Sequence, residues 1–291
     1  MKLRITIDIF SGRPNPVIEL DDADSRAALQ RLLPSRALKR AEQRAPADTL
    51  GYRGLLIEQV GAGSKKLPKQ FRLLNGKLLG ENIAHRVGDE EFEDFIFADK
   101  QRIQALKVGK GFETYLSKEL ERYRSLEAAY VPSKEKWPIL KKCPCAPIYE
   151  PAWWNDGGVR QWNNNCYNYA TNYRTDTFAQ PGLAAGAMYA ALTCPDVWGA
   201  AQKDELIPQK IKKIACPKVG HLVALVIAPG WDFHWYRLGP NMRWSHKPGG
   251  TPVTNLDNSG HIIPDPRTAD RGPYTQFCGF MLVMHGHIKI R

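Results

Sequence analysis

The stretch 219–238, VGHLVALVIAPGWDFHWYRL, decides the fold expected for the C-terminal half of this chain. Its apolar run 222–228 has the length of one strand, and the turn-forming residues 229–232 separate that run from a second, aromatic-rich segment. We therefore predict two strands joined by a short turn. In a strand, neighbouring side chains point to opposite faces, so Phe233 and His234 should face opposite ways. A histidine on such a strand is held rigidly, as a general base requires.

Upstream of this hairpin, Cys166 follows an asparagine-rich run and precedes residues that can begin a helix. A thiol at a helix N-terminus lies near the positive end of the helix dipole, which lowers its pKa and favours the nucleophilic thiolate. Backbone N–H groups at that position can stabilise an oxyanion, and the side chain of Gln161 can add a further donor. These features predict Cys166 as a nucleophile and His234 as its base.

A third group is expected to orient the imidazole of His234. The downstream candidates are His246, Asn255 and Asp257. A carboxylate or amide oxygen suits the remaining ring N–H best, so Asp257 is preferred on charge grounds and Asn255 follows.

This arrangement resembles papain-like cysteine peptidases and amidases, a group that includes CHAP and NlpC-type cell-wall enzymes and type VI secretion amidase effectors. The resemblance lies in a cysteine that opens a helix, a later strand-borne histidine, and a glutamine shortly before the cysteine. It implies that Cys166 attacks an amide carbon to form a thioester, with His234 as general base, Gln161 as oxyanion donor and no cofactor. The papain-type Cys-Gly-Ser-Cys-Trp signature is missing, so the resemblance does not imply a substrate class.

The predicted function is accordingly a cysteine peptidase or amidase, acting as a bacterial effector or toxin on a peptide, protein or cell-wall peptide. The alternative is a non-enzymatic, toxin-like or binding module that uses the aromatic-rich C-terminal half, in which Cys166 is only structural. Selective alkylation of Cys166 near neutral pH would separate the two hypotheses.

The N-terminal part predicts a small α+β domain of unknown role. Strands are expected at 3–10, 17–20, 54–60 and 71–74, and amphipathic helices at 21–33 and from 112 to about 130. A polar, proline-bearing segment follows the last helix and is the predicted linker. We expect domains at 1–131 and 132–291, the second a papain-like α+β domain with an antiparallel sheet.

Net charge and hydropathy limit the binding partners and the cellular location that we expect for this protein. Lys and Arg outnumber Asp and Glu 41 to 30, so the formal charge of +11 suits an acidic polymer or surface, or simply a solvated basic face. Nucleic acid is not favoured, because no basic block interleaved with aromatic residues marks a binding groove. No apolar run could span a bilayer, and the N-terminus does not resemble a signal peptide. These observations predict a cytoplasmic protein, with signal-peptide-independent export as an option.

All six cysteines lie in the second half. If Cys166 is a free nucleophile, an odd number remains, which disfavours a complete disulfide framework. Individual disulfides, Cys194–Cys216 or Cys143–Cys194, remain open. A structural zinc site formed by Cys143, Cys145, Cys194 and Cys216 is also open, although one residue between paired cysteines is fewer than the usual two.

Overall fold

The computed structural model describes residues 2–39, 48–61, 63–80, 83–131, 133–138 and 142–291. The chain forms two compact units. The first comprises Met1–Ile9, Asn15–Ala47 and Tyr52–Ala129, and the second comprises Phe10–Pro14, Asp48–Gly51 and Tyr130–Arg291. The main division therefore falls between 129 and 130, while two short N-terminal segments belong to the second unit. Pro132, where the linker is predicted, lies outside the described residues.

In its described residues, the first unit has a seven-stranded antiparallel sheet and four helices. Its strands are β1 (Lys2–Ile7), β2 (Val17–Leu20), β3 (Pro34–Ala37), β4 (Leu55–Val60), β5 (Gln70–Leu74), β6 (Lys77–Leu79) and β7 (Ala84–Val87). Its helices are α1 (Asp22–Arg31), α2 (Phe92–Ala98), α3 (Lys100–Ala105) and α4 (Phe112–Ala129). The strand order is β2-β1-β4-β5-β6-β7-β3. The helix α1 begins where Asp21 accepts hydrogen bonds from the backbone N–H groups of Ala23 and Asp24.

The part of the second unit that the structure describes has a five-stranded antiparallel sheet and four further helices. The helices are α5 (Pro151–Trp154), α6 (Val159–Trp162), α7 (Cys166–Thr171) and α8 (Cys194–Lys203). The strands are β8 (Ile207–Gln209), β9 (His221–Ala228), β10 (Asp232–Leu238), β11 (Trp244–His246) and β12 (Gln276–Val283), in the order β11-β10-β9-β12-β8.

The central hairpin β9–β10 is buried along its whole length. One face of this hairpin, with Phe233 and Trp235, packs into a core that includes Cys166 of α7. The other face, with Tyr236 and Leu238, packs into a second core around Trp244 and Tyr274. Two covered faces explain why the run 222–228 is continuously apolar instead of alternating.

The predicted α+β class is confirmed, since helices and antiparallel sheets occur together. The predicted hairpin corresponds to β9 and β10, and the helix predicted to open at Cys166 is α7. Within the described residues, no helix is both long and apolar enough to cross a bilayer.

Candidate functional site

Cys166 is the first residue of α7, and the helix begins there because Asn165 caps it. The side chain of Asn165 accepts from the backbone N–H groups of Tyr167 and Asn168, and Asn168 returns a side-chain bond to the Asn165 N–H. This reciprocal pair is a capping box. The helix start was therefore predictable from the asparagine run.

The Cys166 thiol lies in the core and has no solvent exposure. Its sulfur lies 3.9 Å from the carbonyl oxygen of Phe233. Burial is the main cause that raises the pKa of this thiol well above its ordinary value, and the negative charge of Asp232 raises it further. The predicted lowering of the pKa by the helix N-terminus does not occur, because desolvation outweighs the dipole of a helix of six residues.

His234 projects from β10 on the face opposite to Phe233, and Phe233 shares a core with Cys166. Its Nδ1 lies 2.9 Å from Ser11 Oγ, and its Nε2 lies 2.9 Å from His246 Nδ1. Both ring nitrogens are thus engaged by groups other than the thiol. The Ser11 side chain that contacts His234 Nδ1 also hydrogen-bonds to Cys166, so one hydroxyl contacts both the imidazole and the thiol.

The predicted orienting and oxyanion groups have other partners. The Asp257 carboxylate accepts from the backbone N–H groups of Ser259, His261 and Asp270 and so holds its own loop together. Gln161 accepts a bond of 3.3 Å from the Gly157 N–H. Asn255 lies half-buried in a bend of the same loop as Asp257. The residue that contacts His234 is His246, which the charge argument had ranked below Asp257 and Asn255.

The structure adds a group that the sequence did not indicate, a carboxylate held by the segment 10–14. Asp232 accepts backbone N–H bonds from Ser11, Gly12 and Arg13. Burial raises the pKa of the Asp232 carboxyl, while a bond from the Tyr274 hydroxyl and the three backbone donors act in the opposite direction. An added Cβ on Gly12 would lie 2.5 Å from the Phe233 carbonyl oxygen, so only glycine permits this close approach.

Ser11, Tyr274, His234 and His246 form a continuous chain of hydrogen-bonding groups. From the Asp232 carboxylate the chain passes to the Tyr274 hydroxyl, to Ser11 Oγ at 2.8 Å, to the two imidazoles, and ends 2.9 Å from the Leu256 carbonyl oxygen. Both ends of this chain are oxygen atoms that can accept hydrogen bonds, the Asp232 carboxylate and the Leu256 carbonyl.

Each of these acid, hydroxyl and imidazole side chains is fully buried. A proton can move along such a chain, but no side chain in it presents a reactive atom to solvent. The network therefore resembles a polar core that fixes the position of the segment 10–14 against β10 more than it resembles an open catalytic site.

Four of the six cysteines form disulfides, Cys143–Cys216 and Cys194–Cys278. Two disulfides among six cysteines are not a complete framework, in agreement with the expectation from the sequence, but both specific pairings considered there are wrong. Cys145 and Cys166 are free thiols. Disulfides persist in oxidising environments outside the cytosol.

Comparison with known proteins gives one informative relationship. No protein-family profile matches the chain, and no solved structure matches it. The insoluble matrix shell protein 1 of Ruditapes philippinarum is 46% identical over 139 residues, which are 47% of this chain and 90% of that protein. This chain belongs to the same family as that shell protein.

Membership of the shell protein family corrects three predictions. The cysteine peptidase or amidase function is wrong, because the relative is an insoluble matrix protein of a shell. The bacterial effector or toxin class is wrong because the relative comes from a mollusc. The cytoplasmic location is wrong because a shell matrix lies outside cells. The relationship favours the non-enzymatic alternative, and nothing supports a peptide substrate.

Proposed function

We propose that this protein is a structural component of an insoluble extracellular matrix, where it acts as a folded, disulfide-bonded module that binds acidic matrix components. The observation that carries the proposal is the 46% identity to an insoluble matrix protein of a shell, across 90% of that protein.

The chemistry of the second unit supports a structural role. Cys166 is enclosed in the core, and both ring nitrogens of His234 are hydrogen-bonded to other side chains, as a structural role requires. The disulfides Cys143–Cys216 and Cys194–Cys278 close loops with sequence separations of 73 and 84 residues. Cross-links over such lengths restrict the unfolded chain strongly, which suits a protein that must persist outside the cell.

The surface that we assign to acidic partners is the segment 210–218, KIKKIACPK, here called the basic segment. It lies between β8 and β9 and contains no acidic residue. Its four lysines, Lys210, Lys212, Lys213 and Lys218, are all exposed. A cluster of positively charged side chains, on a chain whose formal charge is +11, attracts a polyanion over distances up to about the Debye length.

The test is elution of the oxidised protein, residues 1–291, from a resin that carries polyaspartate, with an uncharged dextran resin as reference. We expect retention on polyaspartate alone at about 0.01 M salt and release before about 1 M, as the Debye length falls from about 30 Å to about 3 Å. The variant Lys210→Gln/Lys212→Gln/Lys213→Gln should elute at clearly lower salt.

A matched variant, Lys65→Gln/Lys66→Gln/Lys69→Gln, removes three exposed lysines from the first unit. Both variants lower the formal charge from +11 by three, to +8, so a difference in elution reports the location of the charge. Free passage of the native protein through polyaspartate at low salt would refute the proposed binding. Equal weakening by both variants would refute the assignment to the basic segment.

A further inference from the structure

Three cysteine sulfurs converge in the second unit. The free thiol of Cys145 lies 3.8 Å from Cys143 Sγ and 3.6 Å from Cys216 Sγ. Cys143 is buried, and Cys145 and Cys216 are half-buried. Across the described ranges, this is the one group of three or more His, Cys, Asp or Glu side chains whose ligand atoms are close enough to share a metal ion.

Local structure explains how a single intervening residue brings two of these sulfurs together. The Ala146 N–H donates to the Cys143 carbonyl oxygen at 3.1 Å, which closes a turn with Pro144 at its second position. The turn presents both sulfurs to Cys216, which precedes β9. The Cys145 thiol also donates to the Pro217 carbonyl oxygen at 3.2 Å. The spacing that argues against zinc in a knuckle is therefore accommodated by this turn.

A free thiol beside a disulfide can serve either thiol–disulfide exchange or metal binding in the reduced protein, and the distances separate the two. Exchange proceeds by attack of a thiolate on a disulfide sulfur, along the extension of the bond that breaks. Cys145 Sγ is nearly equidistant from both sulfurs of the disulfide, so it lies beside the bond. In a tetrahedral zinc site with Zn–S bonds of about 2.3 Å, neighbouring sulfurs are about 3.8 Å apart. Both distances from Cys145 match that spacing.

We propose that Cys143, Cys145 and Cys216 form a redox-gated binding site for one thiophilic metal ion such as Zn²⁺. A dithiol reductant transfers two electrons and two protons to the Cys143–Cys216 disulfide and itself becomes a cyclic disulfide. The metal ion then displaces three thiol protons and binds three thiolates, and water or an external ligand takes the fourth position. Oxidation of Cys143 and Cys216 to the disulfide removes two ligands, so the two forms exclude each other.

The surrounding charge suits a thiolate cluster. Zn²⁺ with three thiolates carries one net negative charge, and Lys142 and Lys218 flank the cluster in the sequence. Cations near cysteine stabilise the thiolate that metal binding requires.

The test uses the chain of residues 1–291, reduced with a phosphine, freed of reductant without air and titrated with Co²⁺ and then Zn²⁺. We expect one Co²⁺ per chain, with the charge-transfer absorption of thiolate–cobalt bonds, and displacement by Zn²⁺. The oxidised protein should bind neither ion at this site. Cys145→Ser should lower the affinity by at least about tenfold, since loss of a ligand costs no less than loss of an outer-shell partner.

Two variants keep the result interpretable. Cys145→Ser retains both disulfides, so circular dichroism of its oxidised form checks that it folds. Cys194→Ser breaks the other disulfide and should leave cobalt binding intact. The proposal is overturned if the reduced native protein shows no thiolate–cobalt band, if Cys194→Ser loses binding as fully as Cys145→Ser, or if the oxidised protein binds equally well. These outcomes are independent of polyanion binding.

Discussion

Glu93 of α2 is a buried acid whose environment favours the protonated form, which makes Glu93→Gln an informative substitution. Its Oε1 bonds to the Tyr52 hydroxyl, and its Oε2 accepts from the Asn75 N–H at 2.6 Å. Burial is the largest cause that raises the pKa of Glu93 from 4.5 to about 7; the Asp94 charge adds to it, while the hydrogen bonds and Arg124 oppose it. A neutral glutamine can donate its amide N–H to Tyr52 and accept from Asn75, as the protonated acid does.

The expected magnitude follows from the shift in pKa. At about 1.4 kcal/mol per pKa unit, ionised Glu93 costs the folded protein about 3 kcal/mol. The folded state holds the proton more tightly than the unfolded state, so the native free energy of unfolding falls as pH rises between 4.5 and about 7. Glu93→Gln removes this dependence. We expect the variant to match the native protein near pH 4 and to be more stable by about 3 kcal/mol above pH 8.

Urea unfolding at several pH values, followed by far-ultraviolet circular dichroism, measures this difference. All eight tryptophans belong to the second unit, so their fluorescence follows the unfolding of that unit separately. Glu121→Gln, at an exposed position of α4, controls for the loss of one negative charge. A variant less stable than the native protein at pH 8, or a difference that is the same at pH 4 and pH 8, would refute the reasoning.

Two further predictions concern the second unit. Gly12→Ala should destabilise it by about 3 kcal/mol, because the new Cβ would clash with the carbonyl oxygen of β10. The control is Gly199→Ala in α8, where an added Cβ meets nothing within 4 Å; it should be neutral or stabilise the protein by up to about 1 kcal/mol. If urea unfolding shows the same change in stability for both variants, the close approach of Gly12 to the Phe233 carbonyl oxygen is contradicted. Iodoacetamide should alkylate Cys145 in the native protein and Cys166 only after denaturation, because Cys166 is enclosed and burial raises its pKa. Rapid native labelling of Cys166, read by peptide mass spectrometry, would contradict that burial.

The local elements of the second unit were accessible from sequence because local chemistry determines them. The turn residues 229–232 and the apolar run before them place β9 and β10, and the asparagine before Cys166 places the start of α7. Alternation along β10 also assigns Phe233 and His234 to opposite faces. What alternation leaves open is which face receives α7, because that depends on packing between distant segments.

The remaining parts of the site depend on contacts over long sequence distances. Ser11 and Asp232 are separated by 221 residues, and no local pattern links them. His246 lies beside His234 because β11 pairs with β10 in the register that sets Tyr236 opposite His246. Charge preference alone favoured Asp257, whose carboxylate is instead used by backbone donors of its own loop.

The features that resembled a cysteine peptidase have a second physical explanation, which the structure supports. A capped helix start and a rigid histidine on a strand are what a thiolate nucleophile and its base require. They are also what a buried helix and a buried polar network require, since an enclosed helix end must satisfy its N–H groups and an enclosed imidazole must bond at both nitrogens. The two explanations differ in one observable, the access of solvent to the sulfur. Cys166 has none, which is what the second explanation requires.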